Sequence, residues 1–309
     1  MRIIENIDAY VGQPCVATIG FFDGVHKGHR CLIDQVCNVA ADKGLESVLI
    51  TFREHPLKVL YPQKAPFLLT TAEEKSNLLA ETGADNAAVL DFTRRLSEMD
   101  ARSFMKNILK EKLNVRILVI GYDHRFGHDR NCGFADYVRF GKEMGIDVIN
   151  AEALEIDGGV VSSSAIRSLL LNGDASGASS MLGYDYFIEG TVVGGFQNGR
   201  KIGFPTANVA VASSDKLIPA NGVYAVRADV DGERYNGMLN IGMRPTFANG
   251  GNRSIEVFLF DFSGNIYSEH IRIEFFRRIR DEKKFACIEE LKMQLEADEH
   301  ECRTLMRMQ

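Results

Sequence analysis

The chain has 309 residues, 45% of them hydrophobic, 25% charged and 9% aromatic, with a net charge of −6. That length suits two domains better than one, and the composition excludes a disordered, collagenous or low-complexity chain. Acids outnumber bases on both sides of residue 183, so neither half has the balance of a nucleic-acid-binding domain. The opening MRIIENIDAY lacks the apolar segment of a signal peptide, and no run approaches the ~18 apolar residues of a membrane span. A cytoplasmic protein without membrane contact is expected. Six cysteines, at 15, 31, 37, 132, 287 and 302, form no C-x-x-C pair, which argues against a disulfide framework or a cysteine zinc site.

Residues 16–20 are a continuous apolar run and predict a buried strand. Leu32, Ile33, Val36, Val39 and Ala40 then recur at helical spacing through 29–43, with Gly44 as the stop. Strand runs return at 48–52, 87–91, 117–121 and 146–150, separated by helical stretches such as 101–113. Strand and helix alternating at this spacing imply a parallel sheet covered by helices. The rhythm changes at 171–183, where small and polar residues suggest a boundary between domains 1–183 and 184–309, although 178–182 suits a short helix. Beyond it, strands are predicted at 187–193, 222–230, 234–242, 254–262 and 270–279. Turns such as Asp231-Gly232 and Ser263-Gly264-Asn265 separate them. This half reads as a small antiparallel barrel, closed by one helix over 287–306.

The first chemical motif follows the first predicted strand: Thr18-Ile-Gly20-Phe-Phe22-Asp23-Gly24-Val-His26-Lys-Gly28-His29. A glycine-rich turn entering a helix points backbone N–H groups and the positive end of the dipole outward, which makes an anion site. His26 and His29, three positions apart, can both donate to a phosphate there. A structural turn with surface histidines would look similar. So would a zinc site helped by His124, His128 and Cys132, although zinc takes three or four ligands.

The second motif lies in the barrel half. It runs from Gly190 through Gly194, Gly195, Gly199, Arg200, Lys201, Gly203, Phe204 and Pro205 to Thr206-Ala-Asn208. Glycine-rich loops wrap phosphates with backbone N–H groups. Thr206 and Asn208, two apart in an extended segment, would present a hydroxyl and an amide oxygen on one side, hard donors suited to Mg2+. Glycine bulges with both side chains in solvent are the alternative. Glu256 alternates with apolar Ile255 and Val257, which by periodicity alone makes it a solvent-facing strand residue.

The first motif resembles the H-x-G-H signature of the nucleotidyltransferase superfamily. Its longer form resembles the FAD synthetase module of bacterial bifunctional riboflavin kinase/FMN adenylyltransferases. Three further segments resemble that module. Thr51-Phe52-Arg-Glu54-His55-Pro56 has glutamate where proline is usual. Gly121-Tyr-Asp123-His124-Arg-Phe-Gly127 has histidine for phenylalanine. Ser162-Ser163-Ser164-Ala-Ile-Arg167 is the third. The segment 199–208 resembles the riboflavin kinase signature almost residue for residue, and Asn240-Ile-Gly242, Glu256 and Arg280-Asp-Glu282 resemble its later motifs, with Ser268 where glycine is usual.

The resemblance implies a Rossmann-like parallel-sheet nucleotidyltransferase domain followed by an antiparallel β-barrel riboflavin kinase domain with a C-terminal helix. It implies phosphorylation of riboflavin by ATP to FMN, then adenylylation of FMN by ATP to FAD. Glu256 is then the general base of the kinase, and His26 and His29 stabilise charge at the α-phosphorus. Gly20, Phe22, Asp23, Gly28, Asp123, Ser162, Ser163, Ser164 and Arg167 would bind ATP or flavin in the first half. Gly199, Arg200, Gly203, Phe204, Pro205, Thr206, Asn208, Asn240 and Arg280 would do so in the second, with Mg2+ on Thr206 and Asn208. The expected partners are riboflavin, FMN and ATP, with no nucleic acid or membrane and at most weak self-association. A single-activity adenylyltransferase and a flavin-responsive regulatory protein with one decayed site remain the alternatives.

Overall fold

Two kinds of sheet, one in each part of the chain, follow from two patterns of apolar residues. The computed structural model describes all residues except 122–124, 129–131, 153, 157–158, 195–198, 200–201, 244–252 and 308–309, with 155–156 and 159 described by backbone alone. The described chain divides into units Met1–Ser163 and Ser164–Gln309.

The first unit holds strands β1 (Arg2–Ile4), β2 (Cys15–Ile19), β3 (Glu46–Phe52), β4 (Asn86–Leu90), β5 (Val115–Ile120) and β6 (Asp147–Asn150) in one sheet of order β1-β4-β3-β2-β5-β6. Every pairing is parallel. β2 is buried along its whole length, because both faces of a parallel sheet are covered. Cys15, Ala17 and Ile19 join the core on one face, while Val16 meets Val36 and Ala40 of α1 (Lys27–Lys43) on the other. α1 ends where Gly44 takes a left-handed conformation (φ 63°) and its N–H returns to the carbonyls of Ala40 and Ala41.

The remaining helices of this unit are α2 (Pro56–Leu60), α3 (Ala72–Ala80), α4 (Arg94–Ser97), α5 (Ala101–Phe104) and α6 (Phe134–Met144). The helix expected over 101–113 is α5 continued as a π-helical stretch, Met105–Lys110, that buries Met105, Ile108 and Leu109. A two-stranded ribbon of β7 (Glu155–Ile156) and β8 (Gly159–Val160) closes the unit. β2 has β3 on one side and β5 on the other, so the order in which strands are added reverses at β2. Ligand crevices in open α/β sheets form beyond the carboxyl ends of strands at that place.

The second unit is a closed barrel of order β10-β13-β12-β11-β14-β9 with every pairing antiparallel. Its strands are β9 (Phe187–Val193), β10 (Ala207–Val211), β11 (Gly222–Val230), β12 (Glu233–Met243), β13 (Arg253–Leu259) and β14 (His270–Arg280). Asp231 (φ 51°) and Gly232 (φ 80°) make the β11–β12 hairpin with two left-handed residues, the geometry the Asp-Gly pair favours. Tyr224, Leu239, Ile241, Ile255 and Val257 share one buried face by register. The helix α9 (Ile288–Arg307) lies over β11, β12 and β14 on the opposite, outer face.

The segment expected to separate the domains is folded. Asp174 caps α8 (Ala175–Leu182), which packs on β14 of the barrel and follows α7 (Ser163–Leu171). The Ala220 N–H donates to the Leu170 carbonyl at 2.9 Å, and Ser176 Oγ donates to the Phe276 carbonyl at 3.2 Å. Gly173 lies where a Cβ would meet Arg278 Cδ at 2.5 Å, so only glycine lets this turn approach β14. A fragment starting at 164 should therefore resist urea better than one starting at 184, which loses the buried Leu170 and Leu182, each worth about 1.5–3 kcal/mol. Equal midpoints for the two fragments would show that these helices add nothing to the barrel.

Candidate active sites

The first site is built on the turn after β2. Phe22 (φ 56°), Gly24 (φ 79°) and Val25 (φ 36°) all have left-handed backbone, unfavourable for an aromatic and a β-branched residue. The surroundings hold them there. The Asp23 carboxylate accepts from the Leu69 and Thr70 N–H groups, both at 3.0 Å, and the Thr70 hydroxyl accepts from Gly24 N–H at 3.1 Å. Of the expected ligand contacts here, Asp23 is 3% exposed and Phe22 1% exposed, and both help to shape the loop. Gly20 leaves room for the Phe22 ring, 2.9 Å from where its Cβ would lie.

His26 is the N-cap of α1: its Nδ1 accepts from His29 N–H at 3.2 Å. An accepting Nδ1 is unprotonated, which places the His26 proton on Nε2. The two imidazoles stack with centroids 3.6 Å apart, and the Phe22 ring stands edge-on to His29 at 5.3 Å. A Cβ on Gly28 would lie 3.2 Å from His26 Nδ1 and 3.3 Å from the Val161 carbonyl, a tight fit where 161–163 crosses the helix start. Ser163 Oγ donates to the Asp23 carbonyl at 2.9 Å, committing that hydroxyl proton to the loop. Ser164 and Arg167 follow on α7. Asp123 and His124, just beyond β5, fall outside the described residues. Among those described, no group of three His, Cys, Asp or Glu side chains is placed to hold a metal ion.

Sequence reading gave no sign of Lys75, which lies beneath this loop. On α3 it is 6% exposed, with Nζ hydrogen-bonded to the Phe52 carbonyl at 2.8 Å and the Phe21 carbonyl at 3.2 Å. It sits between Glu74 and polar residues in a stretch that reads as an ordinary solvated helix face.

The second site lies on the outer face of the barrel. Glu256 stands directly across from Asn208 on β10 and from Asn240 on β12. Cross-strand partners share a face, so three polar side chains form a row, and Thr206 joins it through Oγ1, 3.4 Å from Glu256 Oε2. The row borders a cavity of about 670 Å3 under α9. Gly199, Phe204, Thr206, Asn240, Glu256 and Arg280 line its polar end, with Met238, Phe258, Leu291 and Leu295 making apolar walls. Thr206 also lines a second cavity, of about 570 Å3, with Pro205, Gly264, Asn265 and Tyr267. Gly203 (φ 91°) bends the chain into Phe204, which is buried against Met238 and Cys302. Arg200 and residues 244–246 fall outside the described residues. Cys302, beneath this site, is no nucleophile: burial pushes its thiol up to about 12.

Arg280 lines the cavity, yet its guanidinium is taken by Asp298 of α9, with Nε to Oδ1 at 2.9 Å and Nη2 to Oδ2 at 2.7 Å. Gln294 Nε2 donates to the same carboxylate at 2.9 Å. Arg280, expected as a ligand contact, lines the cavity and also ties β14 to the helix that roofs it. Glu282 Oε1 occupies the space of a Gly242 side chain, 2.2 Å from where a Cβ would sit, and Asn221 donates to Glu282 Oε2 at 2.9 Å.

Two family models match the chain, FAD synthetase over residues 9–165 and riboflavin kinase over 182–306. The bifunctional riboflavin kinase/FMN adenylyltransferase of Escherichia coli strain K12 is 38% identical over 301 residues, 97% of this chain and 95% of the relative. The chain belongs to this family. The Bacillus subtilis strain 168 member is 39% identical over 289 residues, covering 93% of this chain and 90% of the relative. A solved structure from Streptococcus pneumoniae described as a macrolide-efflux protein matches with a TM-score of 0.89 and 32% identity over 97% of this chain and 98% of that one. Among the described residues no helix is long and apolar enough to cross a membrane. The family is bifunctional, a kinase and an adenylyltransferase in one chain, and its two models fall on the two kinds of sheet.

The Arg280–Asp298 pair is 14% and 2% exposed at its two side chains. Removing one member of such a pair leaves a buried charge without its partner, at a cost of about 3–5 kcal/mol. Asp298→Ala should lower the stability of the barrel unit by that amount in chemical unfolding. A change under about 1 kcal/mol, the scale of an exposed pair, would show that the pair is screened by water in solution.

Proposed function

We propose that the barrel unit phosphorylates riboflavin with ATP to give FMN, and that the parallel-sheet unit transfers AMP from ATP to FMN, giving FAD and pyrophosphate. The observation that carries the kinase reading is the row Asn208–Glu256–Asn240 with Thr206 on the wall between two cavities. Riboflavin takes the more apolar cavity under α9, and the nucleotide takes the one lined by Gly264 and Asn265. The terminal hydroxyl of riboflavin gives its proton to the Glu256 carboxylate as its oxygen attacks the γ-phosphorus, and ADP leaves. Thr206 and Asn208 offer a hydroxyl and an amide oxygen beside that carboxylate, a hard-oxygen set that fits Mg2+. When bound, such an ion neutralises phosphate charge.

In the first unit a phosphate oxygen of FMN attacks the α-phosphorus and pyrophosphate leaves. The amino end of α1 and the N–H groups of His26 and His29 face the charge that develops. With Ser163 committed inward, Ser162, Ser164 and Arg167 are assigned to the outgoing phosphates, and Asp123 and Arg200 to nucleotide, on the strength of their motifs. No covalent intermediate is required, because the FMN phosphate is itself the nucleophile.

Glu256→Gln should cut the kcat of FMN formation by roughly 10²–10⁴-fold with KM for riboflavin little changed, while FAD formation from supplied FMN stays normal. Near-normal kcat would make Glu256 a surface residue and direct the search for a base to Asp261. His29→Ala should reduce FAD formation roughly 10²–10³-fold and leave FMN formation intact, since it removes one transition-state donor from the other site. Equal loss of both products in a purified sample would contradict separate sites.

A further inference from the structure

Lys75 carries a charge where the fold could have used an apolar side chain. Its ammonium has three N–H groups and three acceptors: the carbonyls of Phe52 at 2.8 Å and Phe21 at 3.2 Å, and the Thr51 hydroxyl at 3.4 Å. It lies 4.0 Å from the centroid of the Phe21 ring. No N–H is left for a ligand, so whatever Lys75 does for the reaction it does through these groups. Two of them are the ends of β3 and of the loop that follows β2. Thr51 Oγ1 also donates to the Phe21 carbonyl at 3.2 Å, tying the same two segments together. From the other side of the loop, Asp23 is fixed to Leu69 and Thr70, just before α3.

We propose that Lys75 is a positioning residue for adenylyl transfer: with Asp23 it clamps the left-handed loop 21–25 between β3 and α3, and so fixes His26 and His29 at the start of α1. The inference rests on reading this unit as the adenylyltransferase. A loop with non-glycine residues at φ 56° and 36° keeps that shape only while its surroundings hold it. Remove the ammonium, and two inward-facing carbonyls lose their donor and Asp23 loses its countercharge. The loop then relaxes, and the imidazoles move with it. Displacements near 1 Å at a reacting centre can cost about 10²-fold in rate.

The ammonium is also a group that pH can switch. Burial lowers Lys75 from 10.5 to about 8, opposed by the attraction of Asp23. Asp23 is the charged group facing it from the loop. Glu74, its neighbour on α3, has Oε2 turned to the Thr71 N–H at 2.8 Å, and Phe21, Thr51 and Phe52 have no ionisable side chain. Above about pH 8 the amine has two N–H groups for three acceptors. The folded-state value lies below the unfolded one, so the unfolded chain binds more protons between about 8 and 10.5. This group therefore adds stability as pH rises through that window. Adenylyl transfer falls over the same window. Activity and stability respond to Lys75 in opposite directions, which a purely structural role would not produce.

The test compares the full chain with its Lys75→Met and Lys75→Arg variants across about pH 6.5–9.5. It measures FAD formation from supplied FMN and ATP, FMN formation from riboflavin in the same samples, and urea unfolding. The wild type should lose FAD-forming kcat through about pH 8 without losing stability or FMN formation. Lys75→Met should be slower by roughly 10–10²-fold at pH 7, with KM for FMN and ATP nearly unchanged and no step near pH 8. Lys75→Arg, which stays charged, should recover part of that rate and also lack the step. A Lys75→Met protein with wild-type kcat, or a step that persists in it, overturns the proposal. If Lys75→Met does not fold, an identical step in the wild type and Lys75→Arg overturns it. A wild type that forms FMN but no FAD at any pH would instead remove the adenylyltransferase reading beneath it.

Discussion

A charge buried in an apolar interior survives only with its partners in place, and in this chain both candidate sites are rooted in such charges. In the first unit, Asp23 and Lys75 lie below the loop that starts α1, one bound to the backbone before α3 and the other to the ends of β2 and β3. In the second, Asp298 and Arg280 tie α9 to β14 over the cavity that Glu256 borders. Neither pair is free to follow a ligand. Each fixes a piece of backbone that apolar contacts alone would leave with several near-equal positions, because hydrophobic burial has no direction. The candidate site groups His26 and His29 follow the loop so fixed, and Glu256 borders the cavity that the anchored helix covers.

The candidate kinase row lies on the outer face of the barrel wall, because Glu256 alternates with the buried Ile255 and Val257. The outer face is available because α9 covers it only in part. Cys302 and Met306 pack down on Met238 and Phe260 at one end, and the cavity remains at the other. Thr206, just before β10, borders the cavity under α9 and the one beside the 263–267 turn.

The strands were legible where an unbroken or alternating apolar pattern met clear turn residues. β9 and β11 have the predicted ends, and β2 to β6 lie within two residues of them. β1 was not visible because three residues at a sheet edge carry too little pattern. β10 was not, because its five residues directly follow a glycine-rich loop and mix buried with exposed positions. In the segment 171–183, Gly173, Ala175, Ala178 and the serines look like linker residues, and the short helix expected over 178–182 is α8, which packs on β14. The site motifs were legible as lists of residues, though not as geometry. The motifs do not show that Asp23 and Phe22 are buried or that Arg280 is paired with Asp298 at the edge of the cavity. Lys75 and Asp298 were hidden because a charged residue in a charged helix reads as solvent-facing until the fold shows what lies above it.

The N-cap at His26 makes the two histidines unequal in a way their shared motif conceals. One ring caps the first turn of a seventeen-residue helix through Nδ1, whereas the other stacks beside it and gives its backbone N–H to that cap. Genetic information at the two positions is therefore of different kinds. A replacement at 29 can be graded by chemistry alone, with asparagine or glutamine standing in as weaker donors. At 26 any replacement is filtered first by whether it can end a helix, so serine, aspartate and asparagine will be tolerated as architecture while failing as donors in different degrees. A library varied at both positions would sort by helix propensity at one site and by acidity at the other, although the residues are three apart and their rings touch.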